Sequence, residues 1–227
     1  SNERMTAGMI DQVILPVGET LAGLNAPLLR SLLDHKLAVG RAIGGVALAH
    51  RFIKKSDATP KDLRRPGNDP RLDVRQALGK TLLEIGTLDP HKTLKLATRW
   101  IKGASPRLQT TALFFLPGLA PIFQAEVADL LRPLDQCQEL EVRATLVEAL
   151  ISIAREGMSG AVLVLLSDWC EESDPNAWVI CRTLSASWAS KHPSEVKSIL
   201  QALQMKTGET IHISKAKKAL KRHGLDL

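Results

Sequence analysis

The chain of 227 residues has no tyrosine, and aromatic side chains make up only 4% of it. Its three cysteines, Cys137, Cys170 and Cys181, cannot all pair with one another. They show no CxxC spacing and have no histidine at zinc-ligand distance, so a disulfide framework is excluded and buried free thiols in a reducing compartment are expected. The six histidines are scattered at 35, 50, 91, 192, 212 and 223. None of them forms the i, i+4 pair that a helical zinc motif needs, and no metal is expected. No P-loop and no nucleophile elbow are present, so no cofactor is expected either. No apolar run approaches the roughly 18–20 residues of a membrane helix, and the first residues show no h-region of a secretory signal. The expectation is a cytoplasmic protein without membrane contact.

What remains is a chain rich in Leu and Ala, 44% apolar and 24% charged, a balance that supports a packed core and excludes a disordered tail protein. Both residues are strong helix formers. Self-similarity is the strongest signal. The segments DVRQALGKTLLEIG from Asp73, RLQTTALFFLPGLA from Arg107, EVRATLVEALISIA from Glu141 and VICRTLSASWASKH from Val179 align so that Val74, Leu108, Val142 and Ile180 correspond, at intervals of 34, 34 and 38. HISKAKKALKRHG from His212 is a looser fifth copy. Each copy repeats apolar or small residues at helical intervals, as Val74, Ala77, Leu78, Leu82 and Ile85 do in the first. Second helices lie between copies around Leu94, Ala97, Trp100 and Ile101, around Val162, Leu165, Leu166 and Trp169, and around Val196, Ile199, Leu200 and Leu203. Pro70, Pro90, Pro106, Pro175 and Pro193 stand near the helix starts, where a missing N–H costs nothing.

A helix pair of this size cannot bury its apolar face alone, so the pattern predicts an all-α fold: an α-α superhelix, a HEAT-like repeat solenoid of antiparallel helix pairs. It spans residues 1–227 as a single domain, with irregular helices and a basic loop over 1–67 and four to five repeats over 68–227. In the first part, Ala26–Leu33 and Leu37–Ile53 read as helices, and the GRAIGG stretch (Gly40–Gly45) as close helix packing over small residues. Lys54–Asn68, interrupted by Pro60, Pro66 and Gly67, reads as a polar contact loop.

Charge is unevenly distributed around a net +6. Residues 51–107 carry 14 Lys/Arg against 6 Asp/Glu, residues 139–209 carry 6 against 10, and residues 210–227 carry 5 against 1. Such asymmetry points to an anionic partner. On this basis Arg71, Arg75 and Lys80 on the first inner helix, Arg107 on the next, and Lys215, Lys217, Lys218, Lys221 and Arg222 on the last are the expected phosphate contacts.

The segment DVRQALGKTLLEIGTLDP, together with RTLSASWASKHPSEVKSIL and ISKAKKALKRHG, resembles the HEAT-like repeats of the bacterial DNA-alkylation-repair glycosylase superfamily over roughly residues 68–224. The resemblance implies a basic concave surface wrapping DNA, with Arg75 and Arg143 as the arginines of the family's Val-Arg motif. It also matches Asp69 and Arg75 to the HEAT Asp and Arg positions, whose side chains bond along the stack. The family's glycosylases work with an Asp flanked by Trp residues. Asp168-Trp169 with Trp178 is the candidate catalytic cluster of this kind, although Trp169 falls in register with Val162, Leu165 and Leu166 and is expected in the core. Three functions are therefore open: a DNA-binding repeat protein, an alkylpurine DNA glycosylase, and a protein-interaction scaffold. In the last, the acidic residues Glu139, Glu141, Glu171 and Glu172 and the basic end would dock different protein partners.

Overall fold

The computed structural model describes residues 4–55, 57–172 and 174–226, and every element in them is helical. In chain order the α-helices are α1 (Ala7–Met9), α2 (Leu15–Leu21), α3 (Ala26–Leu33), α4 (Ala38–His50), α5 (Pro60–Gly67), α6 (Leu72–Ile85), α7 (Pro90–Ile101), α8 (Pro106–Phe115), α9 (Gln124–Leu131), α10 (Leu140–Ile153), α11 (Ser159–Glu171), α12 (Ala177–Leu184), α13 (Pro193–Thr207) and α14 (Ile211–Arg222). Single π turns link α1 to α2, extend α4 and join α10 to α11. The chain divides into two compact units, Ser1–Leu119 and Ala120–Leu227.

The five sequence copies fall on α6, α8, α10, α12 and α14, with one α-helix in each interval. Capping sets these boundaries. The Asp89 side chain accepts from Lys92 N–H, Asn176 from Val179 N–H and Thr210 from Ile213 N–H, satisfying first-turn donors that the helix itself leaves orphaned. Pro90, Pro106 and Pro193 open their helices.

In the first unit α4 packs on α2, α3 and α6, and α6 packs on α8. Ala42 and Val46 from α4 meet Val74 and Ala77 from α6 in a cluster closed by Met5, Ile10 and Ile14. The glycines of α4 permit the close approach expected of them: a Cβ on Gly44 would lie 3.0 Å from Leu32 Cβ, and one on Gly45 3.0 Å from Pro66 Cβ. Trp100 and Phe115 pack edge to face, 6.0 Å between centroids. In the second unit α10 packs on α12, α12 on α14, and α11 on α13. Val142, Leu146, Leu150, Ile180, Leu184, Leu166 and Leu203 are fully buried there.

Two expectations need correction. Lys54–Asn68 is not a loop, because α5 occupies Pro60–Gly67. Pro60 starts that helix, and the backbone N–H and hydroxyl of Thr59 both donate to the Asp62 carboxylate at 2.7 Å, a polar clasp at the helix entrance. The Pro66-Gly67 pair that reads as a breaker merely ends it. Second, although no uninterrupted apolar run exists, the 32-residue helical stretch Leu140–Glu171 contains an 18-residue window with a mean hydropathy of 1.6, long and apolar enough by length and composition alone to cross a membrane. Half of that window is buried inside the protein. Gly157, at φ +90°, breaks it beside Arg155 and Glu156 into two helices of a folded core.

Candidate functional site

A cationic cleft of about 750 Å³ lies between α12 and α14. Helix periodicity builds it. Ile213, Ala216 and Leu220 anchor α14 in the core, which leaves Lys215, Lys218 and Arg222 on one turned-out face at spacings of three and four. On α12, Val179, Ile180, Thr183 and Leu184 are buried, so Trp178 and Arg182, four residues apart, face the cleft. His212 and His223 complete its rim.

The electrostatics of the cleft are one-sided. Among the described residues, Lys215, Lys218, Arg182 and Arg222 form no ion pair and the lining contains no carboxylate. The other lysines of α14 are differently placed: Lys217 pairs with Glu209 at 3.1 Å and Lys221 with Asp226 at 3.3 Å. Burial pushes the Cys181 thiol in the cleft wall up to about 12, so it is protonated and inert as a nucleophile. Trp178 is half-buried, with the Arg143 guanidinium 5.1 Å from its ring centroid. Arg143 is itself held by a 2.9 Å bond from Nη2 to Asn176 Oδ1. The Asn176 amide donates onward to the Asp135 carbonyl at 3.0 Å.

Of the residues expected to contact phosphates, the structure places Lys215 and Lys218 on the cleft. Lys217 and Lys221 are engaged beside it, and Arg107 is exposed in the first unit. Arg71 is bound to Asp73 at 2.8 Å and Lys80 to Asp11. Arg75 is the clear correction. It is wholly buried and donates to the Asp69 backbone carbonyl, so it offers no phosphate contact. The reason is positional, because Arg75 is the fourth residue of α6, as Arg41 is of α4 and Arg143 of α10. Arg41 grips the Asp69 carboxylate just before α6 (Nε–Oδ2 2.7 Å, Nη2–Oδ1 3.2 Å), and Arg143 reaches Asn176 just before α12. Arg41 and Arg143 thus fasten their helices to the turn that starts a neighbour, whereas the Arg75 bond to Asp69 closes on the turn before its own helix. Sequence reasoning missed Arg41, whose helix position was the available signal, and it missed Arg182 altogether.

The catalytic candidates are not brought together. Trp169 is 1% exposed, with its indole N–H donating to the Arg132 carbonyl at 3.0 Å, so no base can stack on it. Asp168 is bound by Arg132 at 2.6 Å, and neither residue lines the cleft that holds Trp178. When a cationic alkylpurine departs as a neutral base, the positive charge passes to the sugar, where a carboxylate would stabilise it; the cleft presents the opposite charge. Trp100 and Trp188 are buried as expected. Among the described residues no three His, Cys, Asp or Glu side chains converge as metal ligands do.

No family model matches the chain, and no curated protein matches it. Among solved structures it is similar to an engineered protein known from a crystal structure, at 15% identity and a TM-score of 0.40, over 97% of this chain and 94% of that one. A likeness that weak leaves the function to be argued from the molecule's own chemistry.

Proposed function

We propose that the chain is a HEAT-like helical-repeat protein that binds nucleic acid, DNA in the first instance, through phosphate contacts in the α12/α14 cleft. The repeat part of the reading is supported by the regular packing of alternate helices, α4 on α6 on α8 in one unit and α10 on α12 on α14 in the other. The binding part rests on one observation: four cationic side chains, Arg182, Lys215, Lys218 and Arg222, converge on an open cleft that holds no carboxylate among the described residues. Each phosphate they neutralise releases condensed counterion, which makes affinity fall steeply with salt. The glycosylase alternative lacks a carboxylate at the aromatic side chain, so the proposed activity is binding without base excision.

A fluorescence-anisotropy titration with labelled DNA at increasing salt tests this. Three to four phosphate contacts correspond to a log–log slope of about −3, so raising salt fourfold weakens binding by roughly a hundredfold. An affinity indifferent to salt, or no binding at low salt, ends the proposal.

A further inference from the structure

The proposed phosphate contacts use only the charges of the cleft and leave its aromatic side chain without a role. Of the four tryptophans, Trp100, Trp169 and Trp188 are 2%, 1% and 5% exposed, as core residues should be. Trp178 alone is half-buried and lines a cavity. Its register is not a core register. It is the second residue of α12, and the second residues of α6, α8, α10 and α14 are Asp73, Arg107, Glu141 and His212. A large apolar ring therefore stands where the other inner helices carry polar side chains.

The ring is also held in place. Asn176 caps α12 through Val179 N–H and receives Arg143 Nη2, so the guanidinium 5.1 Å from the Trp178 centroid is fixed from behind. The cations around the ring are spaced for a chain of charges: Lys215 to Arg222 spans about 10 Å along the helix axis, at about 1.5 Å per residue. A fixed aromatic face among backbone-tracking cations is the combination that holds unpaired bases, because every base has a π-face and a duplex hides its own by stacking.

Resting on the nucleic-acid reading above, we infer that Trp178 is a base-stacking platform and that the α12/α14 cleft takes single-stranded nucleic acid, one unpaired base on the indole and the adjoining phosphates on Lys215, Lys218, Arg222 and Arg182. A cleft of about 750 Å³ accommodates a base with its sugar and phosphate, since pockets of roughly 300–1,000 Å³ hold ligands of that size. Arg143 is a positioning residue in this scheme, since its guanidinium, held by Asn176, lies 5.1 Å from the indole ring centroid.

The experiment compares four labelled or competing probes on the full chain at one salt concentration. They are an oligothymidylate, an abasic oligomer of equal length and charge, a duplex of equal length, and a thymidine monophosphate competitor. The expected order places the oligothymidylate about tenfold or more ahead of the abasic oligomer and ahead of the duplex, with the mononucleotide far weaker. Trp178→Ala removes the advantage over the abasic oligomer and leaves the salt dependence. Trp178→Phe keeps much of that advantage but abolishes the quenching of intrinsic fluorescence on binding, and thermal unfolding of both variants verifies that they fold. Equal binding of the abasic oligomer, a preference for duplex, or an unchanged Trp178→Ala overturns the stacking role while the phosphate reading stands. A mononucleotide that competes as well as the oligomer reassigns the cleft to a small nucleotide. Failure of every probe to bind overturns both proposals.

Discussion

Asp73 in the first unit and Asp135 in the second are equally buried, 3% and 2% exposed, yet their carboxyls move in opposite directions. Burial pushes Asp73 up, but Arg71, the Met5 N–H and the Val74 N–H offset this and hold it below the ordinary value. At Asp135 burial prevails. Its Oδ2 accepts the Gln136 amide at 2.7 Å, Oδ1 makes no hydrogen bond among the described residues, and the Asn176 backbone N–H lowers the pKa too little to offset burial. Glu172 and Asp174 add like charge, and the pKa rises to about 6. Desolvation is overcome at Asp73, where the Arg71 cation joins two backbone N–H groups, and prevails at Asp135, which has N–H donors but acidic neighbours in place of a cation.

The two units differ in this way generally. The first carries 18 Lys/Arg against 10 Asp/Glu, and several of these cations are ion-paired: Arg41 to Asp69, Arg51 to Asp57, Lys54 to Glu19, Arg65 to Asp34, Lys80 to Asp11. Its cleft of about 440 Å³ mixes Arg30, Arg51 and Arg65 with Asp34, Asp57 and Asp62. The second unit has 12 against 14 and is formally the acidic one, yet it holds the open cationic cleft. Net charge over a segment is therefore a poor guide to where a field reaches solvent; what decides is whether opposite charges share the same face.

The comparison can be broken most forcefully at Asp69. Its carboxylate holds Arg41 bidentately and accepts the Arg71 N–H at 2.9 Å. Asp69→Ala leaves the Arg41 guanidinium, only 20% exposed, without its counter-charge, and the expected loss in urea unfolding is roughly 3–4 kcal/mol. A loss below about 1 kcal/mol would mean that even the least exposed ion pair of the first unit contributes no more than a surface one. Next in size is the contrast in binding. Lys215→Ala, Lys218→Ala and Arg222→Ala combined should weaken DNA binding by about a hundredfold, or about 2.8 kcal/mol. Arg71→Ala, Lys80→Ala and Arg107→Ala combined should leave it within about threefold, a charge effect at a distance. Equal losses in anisotropy titrations would erase the distinction between the units.

These two outcomes also mark what a reader of the sequence alone can and cannot see. Periodicity finds the copies because burial enforces it: Val74, Ala77, Leu78 and Leu82 are all in the core, and so are Val162, Leu165, Leu166 and Trp169. The helix α9 escapes because its eight residues bury only Val127, Leu130 and Leu131, too short a run for a period to show. The candidate site was half legible. That α14 is basic is plain in its composition, but which of its lysines stay open depends on Glu209 and Asp226. Arg75 was misjudged because an arginine one turn into a helix looks exposed until the preceding turn of its own chain is seen to wrap around it. Trp178 was singled out for its proximity in sequence to Asp168, whereas what gives it a role is α14 across the cleft, thirty-odd positions onward.

The smallest effect is the most direct test of the opening contrast. A carboxyl whose pKa is raised on folding binds its proton more tightly in the folded chain than in the unfolded one, so its contribution favours the fold at acid pH and is lost as pH rises. For Asp135 the window runs from the ordinary value of 3.8 to about 6; for Asp73, with its lowered pKa, the sign reverses and stability falls as acid takes pH below about 4. A rise of two units corresponds to about 3 kcal/mol at neutral pH. Asp135→Asn keeps an oxygen for the Gln136 amide and removes the charge, while its own N–H group at the orphaned position takes back roughly 1 kcal/mol. The substitution should therefore stabilise the protein by about 2 kcal/mol at pH 7.5 and flatten the decline in stability between pH 4 and 6, measured by urea unfolding across that range. If instead Asp135→Asn destabilises the protein at neutral pH, the carboxylate has a partner that balances its charge, and the two aspartates are alike after all.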